Sequence, residues 1–208
     1  AAPRAMIEKF EHVFGAYVIH AWGMSETSPL ASIGTLLDKH RDLPLEKRFD
    51  VQAKQGRAIY GVEIEIFGED GQPLPHDGKA FGDLKARGPW VASGYFRSEG
   101  ASVLDGEGWF STGDVPTLDG DGFVQITDRS KDVIKSGGEW ISSIDLENAA
   151  MAHPAVQEAA VIGVAHSRWQ ERPLLLVVPK AQSQPTRDEI LRFMDGKVAK
   201  WWMPDDVV

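Results

Sequence analysis

Three short signatures constrain this chain more than any other feature: Ser111-Thr112-Gly113-Asp114, then Asp128-Arg129-Ser130-Lys131, then Ser136-Gly137-Gly138-Glu139. In that order they supply a carboxylate after a Thr-Gly turn, a charged connector and a paired-glycine turn. Packing alone does not call for such an order.

The pattern around the signatures predicts where the chain divides. Met6, Ile7, Phe10, Val13 and Phe14 recur at helical spacing, with Pro3 suited to the first turn and Gly15 to the stop. Residues 16–20 are β-branched and aromatic and predict a strand. That strand would set Trp22 to Pro29 at its C-terminal end, where ligands collect in open α/β sheets. From about Asp50 to Thr127 short strands alternate with turns such as Glu69-Asp70-Gly71 and Asp119-Gly120-Asp121-Gly122, which suggests a small barrel or sandwich. Val62, Ile64 and Ile66 alternate with Glu63 and Glu65 there, the mark of a half-buried strand.

Beyond Arg129 an α+β unit is expected. A hairpin over Val133 to Ile141 bends at Gly137-Gly138. Ser142 and Asp145 have capping-box spacing for a helix stapled by Ile141 and Leu146, ending at His153 before Pro154. Strands are predicted at 156–164 and 174–178. A second capping box, Thr186 and Glu189, opens a helix carrying Ile190, Leu191, Met194 and Val198. The boundary between the two parts falls at 128–131.

Composition narrows the function class. The chain has 208 residues, enough for one or two domains, and its 42% hydrophobic and 25% charged content is ordinary for a globular protein. A formal net charge of -9 argues against nonspecific nucleic-acid binding, which relies on Lys and Arg to neutralise phosphates. With no cysteine there is no disulfide framework, thiolate metal site or cysteine nucleophile, and a cytoplasmic setting is expected. No apolar run approaches the roughly 18 residues that span a bilayer. The opening Ala1-Ala2-Pro3-Arg4 has neither an initiating methionine nor a signal-peptide layout, so the chain reads as an excerpt of a longer protein.

Together with Trp22-Gly23-Met24-Ser25-Glu26-Thr27, these motifs resemble the C-terminal part of an acyl-CoA synthetase of the adenylate-forming superfamily, which includes firefly luciferase and peptide-synthetase adenylation domains. The resemblance covers nearly the whole chain. It implies an α/β and α+β architecture. Residues 1–128 would be the end of a large domain, with an α/β part over 1–49 and a β-barrel subdomain over 50–128. Residues 129–208 would form a small mobile C-terminal domain.

The resemblance also assigns roles. Trp22 would lie beside adenine, Gly23 and Met24 would belong to the same nucleotide-binding stretch, Ser25 would contact phosphate, and Glu26 would help to hold magnesium, with Ser25 and Glu26 the catalytic pair. Magnesium suits one or two carboxylates plus substrate phosphates. Asp114 would accept from both ribose hydroxyls, a task for an acceptor-only group with two oxygens, and Arg129 would stand near ribose or phosphate. Lys131 would be the hinge. Gly137, Gly138 and Trp140 would line the channel for the pantetheine arm of CoA. Each motif also has a plainer explanation: a packed Trp22 before a polar loop, a turn aspartate, a surface arginine, a charged linker, a simple hairpin turn. Gly82-Asp83-Leu84 and Gly94-Tyr95 resemble a motif that is mainly structural, and Ala1-Ala2-Pro3 the tail of a stretch lying against adenine.

The implied activity is ATP-dependent joining of a carboxylic acid, a medium- or long-chain fatty acid by the wording of the motifs, to CoA through an acyl-adenylate. ATP or AMP, CoA and the acid are the expected partners, and Mg2+ the metal. Two lysines of the family machinery, one in an upstream phosphate loop and one in a terminal Gly-Lys motif, are not in the sequence, so the excerpt alone is expected to be inactive. An aryl-CoA ligase, a luciferase-like oxygenase, a carrier-protein adenylation domain and a noncatalytic nucleotide-binding or interaction module are the rival readings.

Overall fold

Gly15 ends the first helix, α1 (Arg4–Phe14), by taking a left-handed φ of +61°. The N–H groups of Gly15 and Ala16 then turn back onto the carbonyls of Glu11 (3.0 Å) and Phe10 (3.1 Å). The computed structural model describes residue 2, residues 4–97 and residues 102–208. Pro3, expected in the first turn of α1, and Ala1 lie outside the described residues. The chain divides into two compact units, Ala1–Ile126 and Thr127–Val208.

In the first unit the strand expected at residues 16–20 does not form. Pairing starts one residue later, where β1 (Ala21–Gly23) runs antiparallel to β2 (Leu30–Ile33). β-branched residues favour a strand only where a ladder takes up their backbone groups, and Tyr17 and Ile19 instead remain about half exposed. After the short helices α2 (Asp38–Arg41) and α3 (Leu45–Gln52), β3 (Arg57–Ala58) adds to β2.

A second antiparallel sheet follows, built from β4 (Glu63–Phe67), β5 (Asp83–Arg87) and β6 (Phe110–Ser111). β7 (Asp114–Leu118) and β8 (Val124–Arg129) make a two-stranded third. A barrel needs a ladder that continues around the whole circuit. Here isolated bridges, Phe81 to Thr117 and Gly56 to Val124, stand where such ladders would run, and the described residues contain no closed barrel. Ile66, Leu84, Leu118 and Val124 form one buried cluster, and Ala31, Val62 and Ala86 another. Trp22 packs against both.

The second unit opens with a hairpin of β9 (Ile134–Ser136) and β10 (Glu139–Ile141), in which Ser136 pairs with Glu139. The two residues between them, Gly137 and Gly138, have φ of +62° and +89°. Two successive positive φ values are what a tight type I′ loop requires, and glycine supplies them at least cost. Helix α4 (Ser143–Met151) begins where Ser142 Oγ accepts the N–H of Asp145 at 3.1 Å. It stops two residues before His153, because the His153 N–H reaches the Ala150 carbonyl in a tighter turn.

β11 (Val156–His166) and β12 (Gln170–Pro179) are longer than predicted and pair antiparallel from Val156 and Pro179 to His166 and Gln170. Helix α5 (Arg187–Met194) has the reciprocal Thr186–Glu189 box; Val198 falls beyond it but still packs on the core. β13 (Asp206–Val207), too short to leave a sequence pattern, lies parallel to β12. Ile134, Ile141, Leu146, Leu175, Ile190 and Met194 form the centre of this unit. Among the described residues no helix is long and apolar enough to cross a membrane.

Candidate functional site

Asp114 opens β7 almost fully buried, at 3% exposure. Burying a carboxylate is costly unless donors meet it. One donor is the indole of Trp22, whose Nε1–H gives a 2.8 Å hydrogen bond to Asp114 Oδ2. The preceding turn is held from the other side: Thr112 Oγ1 donates to the Leu84 carbonyl (2.9 Å) and accepts the N–H of Asp114 (3.2 Å). Gly113 between them takes a φ of +74°. Two residues singled out from separate motifs thus meet, and Trp22 is at the same time a packing residue.

The segment after Trp22 is tightly specified. A Cβ on Gly23 would fall 1.9 Å from the Pro29 carbonyl oxygen, so only glycine fits. Buried Thr27 accepts the Met24 N–H at 3.0 Å, and the main chain from Ser25 to Thr27 coils into a 3-10 turn. This leaves Ser25 exposed and Glu26 partly exposed. Glu26 Oε1 accepts from the Tyr95 hydroxyl at 2.8 Å, and its main-chain carbonyl accepts the Ala92 N–H at 2.7 Å. The bond to Glu26 holds the Tyr95 phenol above its usual range. Among the described residues no cluster of three or more His, Cys, Asp or Glu could enclose a metal ion. A single half-exposed carboxylate fits a magnesium ion that takes its other ligands from substrate phosphates and water, as that ion commonly does.

His20, just ahead of β1, is interior. Its Nε2 accepts the Ala2 N–H (3.1 Å) and its Nδ1 donates to the Ala53 carbonyl (3.0 Å), which fixes the neutral tautomer. Burial lowers its pKa.

The remaining candidates belong to the second unit. Arg129 and Lys131 line a cleft of about 420 Å³ together with Asp128, Asp132, Glu147 and Glu171. The Arg129 carbonyl accepts from Asp132 and Val133, both at 2.9 Å, so Lys131 sits exposed in a tight turn. Asp128 is buried and joins this turn to α4: its carboxylate accepts from the N–H groups of Arg129 (2.8 Å) and Ser143 (2.6 Å) and from Ser143 Oγ (3.2 Å). Burial nevertheless outweighs these donors and raises its pKa. At the paired-glycine turn the two glycines differ. A Cβ on Gly137 would run into the Trp169 ring, whereas one on Gly138 would meet open space. Trp140 is half-buried, with Lys135 Nζ 4.9 Å from its ring centroid.

Sequence reasoning missed Tyr95 as a partner of Glu26 and Trp169 as the floor of the glycine turn. Both are aromatic side chains in loops, distant in sequence from what they touch; Tyr95 stood in the Gly94-Tyr95 motif, but no local spacing marks either contact.

Comparison with known proteins matches the AMP-binding enzyme pattern to residues 1–96 and the AMP-binding enzyme C-terminal domain pattern to residues 145–208. The two matches together take in well over half of the sequence. The chain belongs to the AMP-binding enzyme family. Among its relatives is the 3-methylmercaptopropionyl-CoA ligase of Ruegeria lacuscaerulensis, 53% identical over all of this chain and 38% of that protein. The medium-chain-fatty-acid–CoA ligase of Ectopseudomonas oleovorans is 48% identical over the same shares. Among solved structures, o-succinylbenzoate coenzyme A synthetase from Bacillus subtilis, in complex with ATP and magnesium ion, superposes with a TM-score of 0.80 at 28% identity. That match covers 99% of this chain and 40% of the other. The chain therefore spans about two-fifths of the length of the relatives it matches.

Proposed function

We propose that this chain is the C-terminal part of an ATP-dependent carboxylate:CoA ligase that works through an acyl-adenylate. The observation that carries the reading is the 2.8 Å bond between Trp22 and Asp114. It joins, across 92 residues, an aromatic ring that can lie beside adenine and an acceptor-only carboxylate that can take ribose hydroxyls.

The chemistry answers a simple difficulty: a carboxylate is a poor electrophile. An oxygen of the acid attacks the α-phosphorus of ATP, and pyrophosphate leaves with the bonding electrons. The CoA sulfur then attacks the acyl carbon, its proton passes to solvent, and AMP departs. In this reading Trp22, Gly23 and Met24 shape the nucleotide pocket, Ser25 binds phosphate, Asp114 grips the ribose and Arg129 supplies positive charge nearby. Glu26 would hold magnesium, which neutralises phosphate charge when bound. Tyr95 orients that carboxylate through its hydroxyl. Lys131 is the pivot of a mobile second unit, and Gly137, Gly138 and Trp140 meet the pantetheine arm. The open space at Gly138 supports its choice as the contact residue.

The substrate is a medium- or long-chain fatty acid or a related aliphatic acid. The named activities of the two relatives support the aliphatic class, since one takes a linear thioether acid and the other a medium-chain fatty acid. The isolated chain is inactive in adenylation. ATP–pyrophosphate exchange tests the assignment. In the full-length protein Asp114→Ala weakens nucleotide binding by tenfold or more, the scale of hydrogen bonds to a charged group at roughly 1.5–3 kcal/mol. The isolated chain gives no exchange above background. Unchanged binding in the variant, or robust exchange by the chain alone, contradicts the corresponding half of the reading.

A further inference from the structure

We propose that Trp169 is a positioning residue for the paired-glycine turn and that it serves thioester formation, not adenylation. This rests on the reading that the turn meets the thiol arm of CoA. Trp169 lies in the short loop between β11 and β12 and supports the turn in three ways. Its indole lies against Gly137 so closely that a Cβ there would stand 2.7 Å from Cε3 and 3.1 Å from Cζ3. Its carbonyl accepts the Gly137 N–H at 2.9 Å. Its neighbour Gln170 pairs with Ser136, the residue that leads into the turn.

The loop is itself held in shape. His166 Nδ1 accepts the N–H groups of both Arg168 (3.1 Å) and Trp169 (3.2 Å). The Arg168 guanidinium stands 4.6 Å from the Trp169 ring centroid, and the ring stays 40% exposed. The ring is thus partly packed and partly open to solvent. Its ring takes up the space beside Gly137, whereas the space beside Gly138 is open to a ligand. Two glycines in succession would otherwise make this the loosest point of the hairpin. A displacement of about 1 Å at a reacting group can cost on the order of a hundredfold in rate, so a rigid floor has a kinetic consequence.

Half-reaction kinetics on the full-length protein test the proposal. With Trp169→Ala, KM for CoA rises and the thioester-forming rate falls by about tenfold or more, while ATP–pyrophosphate exchange stays within about twofold. Trp169→Phe restores most of the loss, and it carries the test alongside Trp169→Leu should the alanine variant fail to fold. Gly137→Ala costs less in the Trp169→Ala background than alone, because the clash with the ring has gone. Equal losses in both half-reactions would reduce Trp169 to a structural residue and overturn the proposal. No change with Trp169→Ala, while Gly138→Ala cripples CoA turnover, overturns it and leaves the turn's role standing. If neither variant alters thioester formation, the reading of the turn fails and the proposal fails with it.

Discussion

Trp22 shows how one side chain can satisfy a packing and a polar requirement together. Its ring lies on both apolar clusters of the first unit, and its N–H ends on the buried carboxylate of Asp114. The plain reading of Trp22 as a core residue and the reading of it as a nucleotide neighbour are therefore compatible, and the same fixed ring can wall a pocket. His20, two residues earlier, yields a prediction of pH dependence. Burial lowers its folded-state pKa, whereas the unfolded imidazole titrates near its ordinary value of about 6.5. As pH falls below about 6.5 the unfolded chain takes up the proton first, and stability is lost until the folded imidazole is charged as well. Thermal melts from pH 8 to 5 should show the wild type losing stability relative to His20→Gln as the pH drops. A constant difference across that range would contradict the assignment of a buried neutral histidine.

Elements with a local cause were legible in advance, and those that depend on a remote partner were not. Gly15 stopping α1, the Gly137-Gly138 bend and the Thr186–Glu189 box each follow from residues within a turn of one another. The run at residues 16–20 and the two-residue β13 depend instead on whether a neighbouring ladder exists, which no window of sequence reveals. Helix α4 combines both kinds of control. Ser142 caps it locally, and the same hydroxyl donates to the Thr127 carbonyl at 2.8 Å, tying the helix start to the connecting strand. Ser142→Ala should lower the stability of the second unit by about 1–2 kcal/mol, at or above a typical cap. Hydrogen exchange of the α4 amides reads this directly. Protection that stays at the wild-type level would mean that other donors take over the cap.

At the scale of the molecule, the chain is two compact units of the AMP-binding enzyme family that span about two-fifths of the length of their relatives. The sequence named Trp22 and Asp114 separately, each in a motif of its own, and only the folded first unit joins them. Trp169 had no such motif, and the Gly94-Tyr95 motif did not point to Glu26, because an exposed aromatic in a loop reads the same whether or not it braces a site. We propose that this chain belongs to an enzyme that uses ATP, through an adenylate, to make a CoA thioester. The most direct test is product analysis of the full-length protein with ATP, Mg2+, CoA and a series of linear aliphatic acids. Acyl-CoA, AMP and pyrophosphate are expected in equal amounts, with acyl-AMP accumulating when CoA is left out. Release of ADP and phosphate, or the absence of any acyl-AMP, would contradict it.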